Sequence, residues 1–566
     1  MNRKRTVVLN TAIIFGFIAV FFRLADLMIV QHALLLEKAI IQQSQVVDIQ
    51  VRRGNIYDWK GREFAINLEY ESLYCDPENL EVDRNVMKSL SGILGMKPKA
   101  IQARFLPDKK FSWVNRKITP DKAARVRELG IKGFGFISEA KRFYPRGALA
   151  SHIIGAVGLD NQALEGIELE YDKYLKAPGG KVYFFRDARG KMLSSGVEME
   201  AKGNDILLTI DEGLQYIVEK ELEKAMTRWK SVAASAIMMD PYTGKILALA
   251  NRPSFNPNRI GKAKRNAIRN RVITDIYEPG STFKLVVGAA ALEEKLFDVD
   301  SIFDCSSGGI RVGGKTIRDT HRHDLLTFKE VIQKSSNVGA VMIGMELGKK
   351  RVYKYAKLFG FGELTGIDLP GEVSGWIRKP RNWSATSIGA ISIGQEVATT
   401  PLQVLRAYSV IANGGYLVRP HLVSEVRTPE GQVLYSSGPV RKKRIISEKT
   451  AVIFKEILET VVEEGGTAPQ AAVDGNRVAG KTGTAQLIDP GTGRYSKNRF
   501  VSSFVGFVPA DNPEIALIIV IYEPKGQIFG GIVAAPVFKE IVDQSLSYMN
   551  VPRDESPVNN LLLVSG

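Results

Sequence analysis

The sequence predicts an α+β protein: one sheet with helices packed on it, an all-helical cluster inserted in the same domain, and a separate domain ahead of both. Two groups of runs carry the sheet. An amphipathic helix at 211–226 (Leu214, Ile217, Val218, Leu222, Met226) precedes strand-like runs at 234–239 and 246–250. Near the other end, runs at 503–508 and 515–522 precede a closing helix at 537–549. Strands and a helix at both ends of one domain must bury their apolar faces together, so they share a sheet. The third observation is the apolar, Ala- and Leu-rich material between them, such as 285–292 and 338–347, which reads as helix.

At 566 residues the chain exceeds what one core fills, and 45% hydrophobic with 24% charged residues excludes wholesale disorder. The net charge of +16 is compatible with nucleic acid, anionic membrane or acidic polymer. No zinc-finger spacing or RRM aromatic signature accompanies it, so no nucleic acid is expected. The cluster Arg441-Lys442-Lys443-Arg444 reads as a solvated loop. Cys75 and Cys305 stand alone, with no Cys-x-x-Cys, so neither zinc nor a disulfide framework follows.

In chain order, residues 1–5 carry Arg3-Lys4-Arg5, and 6–30 form an apolar stretch interrupted by Arg23 and Asp26. The length suits a membrane-spanning helix, and the basic flank places the N-terminus in the cytoplasm with the rest outside. Phe21-Phe22-Arg23 is a poor cleavage site, so a retained anchor is expected rather than a signal peptide. Residues 31–202 form an extracytoplasmic domain, opening with a helical stretch to about 43 and a strand at 46–51. Residues 203–548 form the second domain, and 549–566 a flexible tail.

The chemistry centres on Glu278-Pro279-Gly280-Ser281-Thr282-Phe283-Lys284. A Pro-Gly turn gives way there to an apolar helix, so Ser281 sits near a helix N-terminus with Lys284 on the same face. A nearby amine can take the hydroxyl proton, and the first-turn N–H groups favour developing negative charge. The pattern alone is weak. It recurs at Ser138-Glu139-Ala140-Lys141, between glycines and Phe143-Tyr144-Pro145, where no helix can carry it far. Two further elements strengthen the 281 copy. Thr327 to Glu330 is a capping box opening a short helix that ends at Lys334-Ser335-Ser336-Asn337, so Ser335 and Asn337 sit in a loop before a second helix. Ser335 offers a proton relay and Asn337 an amide for a substrate carbonyl. The third is Gly480-Lys481-Thr482-Gly483-Thr484-Ala485 on a strand: Lys481, Thr482 and Thr484 can bind a carboxylate, and Gly483 would let a substrate backbone approach. Strict alternation puts Thr482 opposite Lys481, so a role for both needs an edge strand or a distortion. A second Ser-x-Asn at Ser496-Lys497-Asn498 lies in a Gly/Asp/Pro-rich loop and is discounted. Asp319-Thr320-His321-Arg322-His323-Asp324 reads as a polar connector with no metal, and Gly394-Gln395 as the lead-in to a helix capped by Thr400.

These three elements, in this order, resemble the Ser-x-x-Lys, Ser-x-Asn and Lys-Thr-Gly motifs of penicillin-binding proteins and class A β-lactamases. Arg53-Gly54-Asn55-Ile56-Tyr57-Asp58, Arg142-Phe143-Tyr144-Pro145 and Glu165-Gly166-Ile167-Glu168 resemble the pedestal motifs of the class B penicillin-binding proteins. Asp58-Trp59-Lys60-Gly61 departs from that family's usual Asp-Arg-Asn-Gly. Length and the short N-terminal region look like the division (septal) type.

The resemblance implies an antiparallel sheet with helices on both faces plus an all-helical subdomain, behind a membrane anchor and an elongated pedestal. It implies a peptidoglycan D,D-transpeptidase without cofactor. Ser281 would attack D-Ala-D-Ala of a stem peptide, with Lys284 as base, Ser335 as relay and Asn337 on the substrate amide. Lys481, Thr482 and Thr484 would hold the terminal carboxylate, and the backbone N–H groups of Ser281 and Thr484 would form the oxyanion hole. Expected partners are stem peptides on lipid II-derived glycan strands, β-lactams, and a SEDS-type glycosyltransferase with other division proteins in the inner membrane. The rival readings are an elongation-type transpeptidase, a D,D-carboxypeptidase or β-lactamase, and a membrane scaffold of the division machinery.

Overall fold

A computed structural model describes residues 3–553 except 36–37, 39–43, 50–51, 108, 110, 178–179, 187–191, 199–201, 439–442 and 490. The expected flexible tail falls largely outside these residues, as do half of the basic cluster at 441–444 and most of the helical stretch expected up to 43. One helix, Arg3–Ala25, continues through Asp26–Val30; residues 5–30 are long and apolar enough to cross a membrane and bury none of that surface in the protein. Arg23 and Asp26 pair on it at 2.8 Å.

By compactness the chain divides into two units, and the division differs from a single boundary at 202/203. The smaller unit is 1–52, 69–141 and 176–202; the larger is 53–68, 142–175 and 203–566. In the smaller unit a core of Leu73, Leu90, Ile93, Leu94, Ile101, Val114, Ile118 and Val126 packs two helices, Arg84–Leu94 and Pro120–Glu128, on a strand pair. Ser138 lies exposed on the strand Phe134–Phe143, where alternation puts Lys141 on the opposite face, so this Ser-x-x-Lys copy has no site.

The larger unit is built on a five-stranded antiparallel sheet. Its elements begin with α1 (Glu212–Trp229), β1 (Ala233–Met239) and β2 (Ile246–Arg252). The helical cluster follows: α2 (Lys284–Glu293), α3 (Phe328–Gln333), α4 (Asn337–Leu358) and α5 (Pro401–Ala412). Then come β3 (Ala479–Ile488), β4 (Tyr495–Val508), β5 (Ile515–Tyr522) and α6 (Ala535–Met549). The strand order is β2-β1-β5-β4-β3, so the first and last segments do share one sheet and β3 is an edge. Every residue of β1 and β5 is buried because both faces are covered. Ala234, Ala236, Met238, Leu517, Ile519 and Ile521 pack with Leu214, Val218 and Leu222 of α1 and with Phe538 and Ile541 of α6. Their alternates Ile237, Met239, Ile518 and Val520 pack with Leu402, Leu405 and Tyr408 of α5. The period-2 pattern thus feeds two cores.

Three helix starts follow their caps. Asp211 accepts from the N–H groups of Gly213 and Leu214, and capping boxes close at Thr327/Glu330 and Thr400/Gln403. The residues that depart from the family pattern dock on the first of these: Trp59 Nε1 donates to Asp211 at 2.6 Å and Lys60 Nζ pairs with it at 3.0 Å.

The motifs around Arg53, Arg142 and Glu168 meet in a buried ion cluster. Glu168, fully buried, receives Arg53 Nε at 3.0 Å and Arg142 Nε at 2.6 Å. Arg53 also reaches Asp172 at 2.6 Å, and Arg142 donates to the Gly54 carbonyl at 2.7 Å. Removing the one carboxylate shared by two buried guanidiniums leaves uncompensated charge in the interior. Glu168→Ala should therefore cost about 3–5 kcal/mol in urea unfolding of this unit. A loss below about 1 kcal/mol would show that water relieves the cluster.

Candidate active site

Ser281 sits in the tight helical turn Gly280–Phe283 that runs directly into α2. The turn is fixed from three sides. Phe283 is fully buried and meets the Phe361 ring edge-on at 5.2 Å. Tyr408 of α5 donates its hydroxyl to the Thr282 carbonyl at 3.0 Å. Gly280 N–H donates to the Gly394 carbonyl at 3.2 Å. Gly394 has φ +77°, and a Cβ on it would collide with the Gly280 carbonyl oxygen. Gly394 is therefore part of the support of the Ser281 turn rather than only the approach to a helix, and Gln395 lines the cavity.

Lys284 begins α2 and is 0% exposed. Its Nζ lies 2.5 Å from the Ser335 carbonyl, 3.2 Å from Ser335 Oγ and 2.9 Å from Asn337 Oδ1. Burial pulls its pKa down to about 7, against an opposing pull from Asp319. A neutral amine here can give its two N–H bonds to the carbonyl and the amide and keep its lone pair for a hydroxyl proton. Ser335 presents both of its oxygens because its backbone is left-handed, at φ +57°, a conformation that costs a non-glycine residue energy and recurs at functional sites.

Lys481, 1% exposed, is held well below the ordinary lysine range by burial first and by the Lys284 charge second. It contacts the Thr482 hydroxyl at 3.4 Å. That contact answers the alternation problem: β3 is an edge strand, and the long lysine side chain bends back to its neighbour's hydroxyl. Thr482 in turn shares a 2.9 Å hydrogen bond with Thr467, and Thr484 Oγ1 accepts from Gly530 N–H at 3.1 Å, which leaves the Thr484 hydroxyl hydrogen free for a ligand. Gly483 departs from expectation. It does not line the cavity; a Cβ there would collide with Ser503 Oγ and meet Thr282 at 3.0 Å and the Pro279 carbonyl at 3.2 Å. The glycine lets β3 approach the nucleophile turn, not a substrate.

Above these groups lies a cavity of about 790 Å³, lined among others by Ser281, Ser335, Asn337, Thr482 and Thr484, with Phe500, Phe529 and Ile532 as an apolar side. Of the eight expected residues, the cavity wall therefore carries five; Lys284 and Lys481 are buried, and Gly483 is packed away.

Two residues escape sequence reasoning. Asp319, in the stretch read as a connector, accepts from Ser336 Oγ at 2.8 Å, from Val338 N–H at 3.1 Å and from Asn337 N–H, so it locks the loop that carries Ser335 and Asn337. His321 and His323 beside it line the cavity. Thr467 follows Gly465-Gly466 in a turn with no chemical signature. Ser496 and Asn498 lie on β4 outside the cavity.

Comparison with known proteins agrees with this arrangement. The family described as the penicillin binding protein transpeptidase domain matches residues 234–543, and the penicillin-binding protein dimerisation domain matches 48–208. The chain belongs to the penicillin-binding protein transpeptidases. It is 32% identical over 542 residues to the peptidoglycan D,D-transpeptidase FtsI of Escherichia coli, covering 94% of this chain and 90% of that one. It is 36% identical over 521 residues to the stage V sporulation protein D of Bacillus subtilis, covering 90% and 80%. The solved structure of penicillin binding protein 3 from Mycobacterium tuberculosis, complexed with aztreonam, superposes with a TM-score of 0.71 at 27% identity, over 90% of this chain and 98% of that one. The relatives bear out the class B, division-type resemblance.

As a base, Lys284 would have to be neutral to act, which gives a definite pH profile. Acylation by a penicillin should rise as pH increases through about 7, because Lys284 loses its proton there, and level off above. A stopped-flow rate that stays flat from pH ~5.5 to ~8.5 would show that Lys284 does not limit the reaction.

Proposed function

We propose that this protein cross-links peptidoglycan at the division septum as a serine D,D-transpeptidase. The observation that carries the reading is a fully buried lysine of lowered pKa, held between Ser335 and Asn337 under the cavity that exposes Ser281. Ser281 Oγ attacks the carbonyl between the two D-alanines while Lys284 takes its proton. The Ser335 hydroxyl, 3.2 Å from that amine, passes the proton to the leaving D-alanine nitrogen. An amine from a second stem then displaces Ser281 and forms the cross-link.

Asn337 Nδ2 gives one hydrogen to the Arg318 carbonyl at 2.9 Å and keeps the other for the substrate amide. Thr484, whose oxygen is occupied by Gly530 N–H, donates to the terminal carboxylate, and Thr482 and Lys481 complete that subsite. The backbone N–H groups of Ser281 and Thr484 stabilise the tetrahedral oxyanion, each worth about 100- to 1,000-fold. β-Lactams acylate the same serine; one relative, the penicillin binding protein 3 of Mycobacterium tuberculosis, is solved in complex with aztreonam and with ampicillin.

The N-terminal helix serves as a single-pass anchor in the inner membrane. Arg3, Lys4 and Arg5 hold the N-terminus in the cytoplasm, which puts the catalytic domain outside. A SEDS-type glycosyltransferase and other division proteins are the membrane partners. The septal role is supported by the FtsI relatives, which disfavour the elongation type.

Cells whose sole copy carries Ser281→Ala should grow as filaments without completed cross-walls, although the protein accumulates normally. Rounded cells that still septate would move the protein to elongation, and normal division would make catalysis secondary to scaffolding.

A further inference from the structure

The mechanism assigns no role to Glu278, which lines the same cavity three residues before Ser281. Tyr495 OH donates to its two carboxylate oxygens at 3.0 and 2.9 Å, and Glu396 N–H donates to Oε1 at 2.9 Å. These bonds aim the carboxylate without neutralising it. Among the described residues no Lys, Arg or His forms an ion pair with it, while the neighbouring Glu396 is already paired with Arg378 and bonded by Ser387. Burial pushes the Glu278 carboxyl up from its ordinary value and the Glu396 charge adds to that, against the hydrogen bonds from Glu396 N–H and Tyr495 and a weaker pull from the Lys315 charge. A cation arriving at this site would reverse both effects.

The charges facing the cavity divide by task. Lys334 on its wall, paired with Glu330 at 3.0 Å, and the amine of Lys481 beneath it suit a donor peptide that ends in a carboxylate. None of these groups offers a negative charge to the second substrate, whose attacking group is a primary ammonium in neutral water. The other carboxylate on the wall, Asp319, is spent on the backbone and hydroxyl of the Ser336–Val338 segment. Glu278 is the carboxylate left over.

We propose that Glu278 is the acceptor subsite: its carboxylate receives the primary ammonium of the incoming stem peptide and holds it beside the acylated Ser281. The inference rests on the transpeptidase reading above. In the step it serves, the acceptor nitrogen bonds to the acyl carbon and the carbon–Oγ bond breaks. The ammonium gives up two protons: one returns to Ser281 Oγ by way of Lys284, and the other leaves to solvent.

The test uses the full chain in detergent, acylated by a D-alanyl thioester and offered either a primary alkylamine or hydroxylamine. The first is cationic and the second neutral at the working pH. The readout is the selectivity for the alkylamine over hydroxylamine, taken from the two amide products relative to free acid. It counts only folded, acylated enzyme. Glu278→Gln keeps an oxygen for Glu396 N–H and a polar partner for Tyr495, but removes the charge. Its selectivity should fall about tenfold, the size expected for one charge-assisted hydrogen bond. Unchanged selectivity would overturn the acceptor subsite, whatever happens to the overall rate. If the wild-type protein forms only free acid with every amine, the transfer reading itself falls and takes the subsite with it.

Discussion

Burying a charged amine costs several kcal/mol of hydration, and this chain buries two, Lys284 and Lys481, beneath one cleft. The fold resolves the cost by lowering both pKa values, and the Lys284 charge adds to the pressure on Lys481. Much of the surrounding structure follows from holding them there. The Ser335 carbonyl must face inward, which forces its left-handed backbone, and Asp319 must hold the loop in that shape. Glycine at 394 and 483 lets the nucleophile turn and β3 close over the pair.

The cleft is consequently polarised. Its floor holds two buried amines, its wall carries the Thr484 hydroxyl with its oxygen already bonded, and the Glu278 carboxylate, in no ion pair among the described residues, lines the same cavity as Ser281. A reaction with an anionic donor and a cationic acceptor needs both signs in one cavity. The buried Arg53–Glu168–Arg142 cluster belongs to the same large unit and has a different task. It ties segments 53–68 and 142–175 to each other within that unit, which is why compactness ignores the linear boundary at 202/203.

Much of this was legible in the residues. The apolar runs of β1 and β5, the capping boxes at Thr327 and Thr400, and the three motifs each report a local rule that the fold obeys. What escaped depends on distant neighbours. Gly483 looks like a gap for substrate until Ser503 and Thr282 fill the space beside it. Asp319 reads as a polar connector until α4 starts against it. Nothing in the spacing of Arg142 and Glu168 shows that Arg53 joins them from far back in the chain. Spacing cannot report a partner that the chain brings back only after a long loop.

The central claim is that Ser281, and no other serine, forms the acyl-enzyme. Mass spectrometry after exposure to a penicillin, on the wild-type protein beside Ser281→Ala and Ser138→Ala, tests it most directly. One long-lived adduct is expected on the Ser281 peptide, kept in Ser138→Ala and absent from Ser281→Ala. An adduct that survives in Ser281→Ala, or none on folded wild-type protein, would contradict it.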